Sequence, residues 1–88
     1  TTLHQACFFG RPEIVETLLE AGADRRKLNV FGLTPIDLAT KEMDLEWKAI
    51  YGHTYQTLNL DLDFEKLALA RDQIREIFEK YDSRELAL

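Results

Sequence analysis

Cysteine is nearly absent from this chain of 88 residues: Cys7 stands alone, so no internal disulfide can form, which favours a reducing compartment. Long apolar runs are missing too. None approaches the roughly 20 residues that span a bilayer, so no membrane segment is expected. No signal peptide pattern is visible. Basic charge is scarce, with 11 Lys and Arg against 16 Asp and Glu and a net charge of −5. The deficit lies mainly in the second half: residues 1–43 carry −1 and residues 44–88 carry −4. A general nucleic-acid binder needs a basic face to neutralise phosphates, and none is available here. The one basic cluster, Arg25-Arg26-Lys27, is too short to reverse that. The remaining composition, 45% apolar and 31% charged, is that of a soluble globular chain with room for a modest core. An intracellular location, cytoplasmic or nuclear, is the expectation.

What is present is a pattern that occurs twice. Thr1-Thr2-Leu3-His4-Gln5-Ala6 leads to Gly10, then to Ile14-Val15, Leu18-Leu19 and Gly22-Ala23-Asp24. A second copy opens with Gly32-Leu33-Thr34-Pro35-Ile36-Asp37-Leu38-Ala39. Thr can cap a helix N-terminus, and Pro is tolerated in a first turn, where its missing N–H has no partner anyway. Gly10 suits a helix end that needs positive φ. Pro12 starts a second helix, expected over 13–21, whose Ile14, Val15, Leu18 and Leu19 form an apolar stripe at helical spacing. Gly22 stops it, and Asp24 to Phe31 is expected to project as a short hairpin closed by Gly32.

The step from Thr1 to Thr34 is one period of about 33 residues, and with these motifs the chain resembles the ankyrin repeat family closely. The resemblance implies an all-α fold: stacked helix-turn-helix pairs joined by a short β-hairpin loop. It assigns 1–33 to one repeat and 34–82 to a second, with Ser83 to Leu88 as a tail. It also implies that His4 ties neighbouring loops together through its ring. The chain starts inside the motif and lacks an initiator Met, so a piece of a longer array is expected. Upstream repeats or a partner chain would then cover the N-terminal face, since two repeats are normally too few to stand alone.

The second copy departs from the pattern. No Gly follows Glu42, and helical spacing continues through Met43, Trp47, Ile50 and Tyr51 towards Gly52. The second helix comes late, from Arg71 to Tyr81, with Ile74 matching Ile14 and Phe78 matching Leu18. About two dozen residues, near 44–67, are therefore inserted. Two readings stand for this insert. It is either an extra helical pair, with Asp63 capping a long return helix, or a recognition element built on Trp47 and Tyr51. In the same register Val15 becomes Arg75 and Leu19 becomes Glu79. Charge at positions that would meet a following repeat marks the end of an array.

The family's variable surface positions fall here on Phe8, Phe9, Leu28, Val30, Phe31, Leu33, Lys41 and Glu42. Six of these eight are apolar, where an idle surface would be polar. Phe9, Leu28, Val30, Phe31, Leu33 and Lys41 are thus candidate partner contacts, with Arg25, Arg26 and Lys27 placed to steer an acidic partner. Phe8 and Phe9 have a second reading, packing against the insert or a missing repeat. The implied function is non-catalytic binding of another protein. The alternative is a structural subunit or cap permanently buried in a larger assembly.

Chemistry is poorly supported. His4 and Cys7 share i, i+3 spacing, but zinc normally needs further ligands in register. Asp61-x-Asp63-x-Glu65 begins like a calcium loop, yet Lys66 stands where Gly is required and Asp72 where the bidentate Glu belongs. No Ser-His-Asp order, phosphate loop or Cys-His nucleophile can be assembled. No enzyme activity, cofactor or metal is expected.

Overall fold

Thr1 accepts from the His4 amide through its hydroxyl at 3.2 Å, and the His4 side chain reaches back to Thr1, closing a capping box. That reciprocal pair starts α1, Thr2–Phe8. The second copy repeats it: Thr34 and Asp37 exchange bonds of 3.4 and 2.8 Å, and Pro35 opens α3, Pro35–Thr40. Between them lies α2, Pro12–Glu20, one residue ahead of expectation at each end because Pro12 itself enters the first turn. The computed structural model describes residues 1–86, completed by α4, Leu45–Thr57, and α5, Phe64–Leu86. Among the described residues every regular element is helical.

The two helix pairs stack, α1 on α3 and α2 on α5. Leu3, Ala6, Cys7, Val15 and Leu19 of the first pair share one core with Leu38, Ala39, Ile74 and Phe78 of the second. Fully burying a Leu, Ile or Phe is worth roughly 1.5–3 kcal/mol. Ion pairs rim the α2–α5 seam, Glu16 to Lys80 at 2.7 Å and Glu20 to Arg84 at 3.4 Å. Exposed pairs of this kind contribute about 0–1 kcal/mol each, so the apolar seam dominates.

The expected hairpin contains no strand ladder; side-chain and turn bonds hold it instead. Asn29 Oδ1 accepts from the Phe31 and Leu33 amides at 2.9 and 3.0 Å, and the Asn29 amide donates to Leu33 O at 2.9 Å. His4 Nε2 lies 2.9 Å from the same Leu33 carbonyl, which can only accept, so Nε2 is the donor. His4 thus ties the loop to α1, as the family resemblance implied.

The helix pattern does not run unbroken from α3 into the insert. Arg71 Nε donates to Ala39 O at 2.8 Å and its guanidinium also reaches Lys41 O, taking carbonyls that helix continuation would need. Asp44 Oδ1 then accepts from the Trp47 amide at 2.8 Å and starts a new helix. Asp63 Oδ1 accepts from the Glu65 and Lys66 amides at 3.0 and 3.2 Å and caps the long return. α5 continues through most of the expected tail; residues 87–88 lie outside the described residues.

Gly10 carries φ +67°, and a Cβ there would meet Ala70 Cβ at 3.0 Å and Leu67 Cδ1 at 3.1 Å. Gly22 has φ +87° with nothing within 4 Å. Gly10→Ala adds a collision with α5 to the positive-φ strain, whereas Gly22→Ala carries the strain alone. Urea unfolding is expected to show a loss of more than about 1 kcal/mol for Gly10→Ala and a clearly smaller one for Gly22→Ala. Equal losses would contradict close packing of α5 on the α1–α2 turn.

Candidate functional site

Trp47, Tyr51 and Tyr55 recur every four residues and form one stripe along α4. The stripe lies on the end of α1. Phe8 stacks on Tyr51 with ring centroids 4.2 Å apart and planes within 3°, and meets Trp47 edge-on at 6.0 Å. Phe9 faces Tyr55 at 5.7 Å. The Tyr51 hydroxyl donates to the Phe8 carbonyl at 2.6 Å, satisfying one of the carbonyls left free at the α1 C-terminus. Trp47 and Tyr51, expected as partner contacts, are core residues, 7% and 0% exposed. Phe9 is partly buried against the same cluster. The reason is local: α1 ends in two adjacent aromatics, and the α4 stripe covers them more cheaply than water does. Lys41 remains exposed, its Nζ 5.8 Å from the Trp47 ring centroid.

The loop between the pairs behaves differently. Val30 is 93% exposed, Phe31 82% and Leu28 59%. Leu33, at the loop base, turns inward and packs on the core. Three large apolar side chains therefore stand in water on a loop whose backbone Asn29 and His4 hold in place. Two of the three neighbouring cations are paired within the chain, while Lys27 is exposed. Arg25 Nε lies 3.3 Å from Asp82 and its guanidinium pairs with Glu85, while Arg26 reaches Glu85 at 2.7 Å. Sequence spacing places Asp82 and Glu85 one turn apart on one face of α5 but does not bring them to Arg25 and Arg26, about sixty residues away. The Arg26 guanidinium holds the Glu85 carboxyl below its ordinary value, and the Tyr81 hydroxyl does the same for Glu20.

A sequence model of the family described as Ankyrin repeats (many copies) matches residues 3–46. The chain belongs to the ankyrin repeat family. No curated protein and no solved structure matches it. Ankyrin repeats are generally protein-interaction modules and typically non-catalytic. The matched span covers α1, α2, the loop and α3, and stops as the inserted helix begins. Among the described residues no three of His, Cys, Asp and Glu form a group that could hold a metal ion, and no helix is long and apolar enough to cross a membrane.

The ankyrin core also carries buried acids, Cys7, Tyr51, Tyr55 and Tyr81, and burial raises the pKa of each. Burial pushes the Cys7 thiol from 9.0 to about 12 and the Tyr51 phenol from 10.0 to about 12. A raised folded-state pKa means the unfolded chain ionises first. Both contributions are therefore intact below about pH 9 and are lost as pH rises towards 12. Urea midpoints followed by Trp47 fluorescence are expected to fall across that window. Cys7→Ala should remove the part of the fall that begins near pH 9, and Tyr51→Phe a share of the part that begins near pH 10, the rest of which belongs to Tyr55 and Tyr81. A wild-type midpoint that stays level from pH 9 to 12 would contradict burial of both groups.

Proposed function

We propose that this ankyrin domain binds a partner protein through the tip of its inter-repeat loop, with Val30 and Phe31 as the anchors and Leu28 beside them. The observation that carries the reading is the exposure of all three on a loop pinned by Asn29 and His4. An apolar anchor that is already ordered loses little conformational entropy on binding, and aromatic anchors commonly dominate interface energies. The domain itself performs no chemistry. Phe8, Phe9, Trp47 and Tyr51 take no part in the proposed contact, because they fill each other's surfaces.

In the same reading the second helix pair closes the array. Arg75 and Glu79 are exposed on α5 where Val15 and Leu19 are buried on α2. Charged groups there cost desolvation to any repeat that would stack on them.

Affinity capture from extract of the source cells tests the loop. The full natural chain is compared with a Val30→Asp, Phe31→Asp variant whose circular dichroism is unchanged. Selective loss of a captured protein in the variant is the expected result. An unaltered set of captured proteins would remove the loop tip as the recognition site.

A further inference from the structure

The inter-repeat loop is tied to the body of the domain at both of its ends, and the two ties differ in kind. At the Leu33 end the tie is a hydrogen bond from the ring of His4, which is buried. At the Arg25 end the ties are ion pairs to the last turn of α5. Arg25 meets both Asp82 and Glu85, and Arg26 shares the Glu85 carboxylate. The Arg25 side chain is only 18% exposed, although it stands on a projecting loop, because it lies against that turn.

Among the described residues little else holds the turn. The last packed residue of α5 is Tyr81, whose hydroxyl donates to Glu20 at the end of α2. Residues 82–85 follow, and all four are exposed. Arg84 adds one long pair to Glu20, at 3.4 Å. The turn is therefore retained by charge, on carboxylate side chains that are themselves 60% and 44% exposed. Ion pairs so open to water are weak and are screened by salt. A helix end held in this way opens far more readily than any part of the apolar seam.

The paired cations adjoin the apolar tip. Arg25 and Arg26 run directly into Lys27 and Leu28, with Val30 and Phe31 just beyond. Lys27 is exposed, so it is the first cation that an arriving carboxylate meets. A second carboxylate on the same segment could then replace Asp82 or Glu85, one acid for another, and leave neither arginine bare. We propose that the last turn of α5 is a latch on the loop: Asp82 and Glu85 occupy Arg25 and Arg26 in the free domain, and an acidic segment of the docking protein displaces them. The latch rests on the reading of the loop tip as the docking element. It adds selectivity, because a protein that offers an apolar pocket without neighbouring carboxylates leaves the latch shut.

Hexaglutamate, titrated at low salt and followed through backbone amide resonances, tests the latch. The peptide has no apolar side chain with which to engage Val30 or Phe31. In the wild-type chain the resonances of residues 25–27 and 82–85 should move together, as the peptide takes the arginines and α5 releases them. Asp82→Asn with Glu85→Gln opens the latch and should tighten peptide binding about three- to tenfold. Glu76→Gln with Glu79→Gln removes the same charge from exposed positions of the same helix and should give a clearly smaller gain. Adding Arg25→Gln and Arg26→Gln to the opened chain should abolish its gain. Movement of 25–27 without 82–85, equal gains in the two charge variants, or no binding at 25–27 in either chain would overturn the latch. The titration does not read the anchors, and affinity capture with the Val30 and Phe31 variant does not read the latch, so failure of one is distinguishable from failure of the other.

Discussion

Everything in this molecule depends on the apolar face shared by its two helix pairs. α1 has seven residues, α2 nine and α3 six. Isolated helices shorter than about 12–15 residues are marginal in water. These therefore exist because Val15 and Leu19 on one side and Ile74 and Phe78 on the other leave water together. The capping boxes at Thr1 and Thr34 set where the helices begin, and Gly10 lets the chain reverse tightly enough for α5 to close over the turn. The ion pairs between α2 and α5 line up with this seam and decorate it without supplying its main strength.

The inserted α4 changes what an ankyrin domain usually offers. Positions that the family leaves on the surface, Phe8 and Phe9, are covered by Trp47, Tyr51 and Tyr55. Each aromatic buries about 150–250 Å², which outweighs leaving the Trp47 indole N–H buried without a partner at a cost of about 1–3 kcal/mol. The covered face cannot also be a docking face in this conformation. Exposed apolar side chains stand instead at the loop tip and along the open flank of the first pair, with Leu45, Ile50, Phe64 and Leu69 exposed on the outer faces of α4 and α5. The loop tip is a projecting point on a fixed loop. The open flank is a shallow groove shaped by helices.

Much of the fold was legible before the structure, for identifiable reasons. Capping residues, positive-φ glycines and apolar spacing act over three or four residues, so they can be read along the chain. They located α1, α2, α3 and the long return helix from Asp63. The exposure of Val30 and Phe31 also followed, because a short projecting loop such as 24–31 cannot bury every side chain it carries. The break between α3 and α4 was not legible, because the group that takes the α3 carbonyls is Arg71, some thirty residues further on. The partners of Arg25 and Arg26 were hidden for the same reason: Asp82 and Glu85 lie about sixty residues away.

The sequence by itself determined the repeat, its period, the helix starts and the one-sided apolar stripes, since each of these is a short-range property of backbone and side chain. Only the tertiary structure decided which apolar residues are core and which are free. Trp47 and Val30 look alike as apolar residues in a connecting segment, yet one is buried and the other almost bare. The difference lies in whether a second surface comes within contact distance when the chain folds back on itself: Phe8 meets Trp47, while Val30 stays 93% exposed among the described residues.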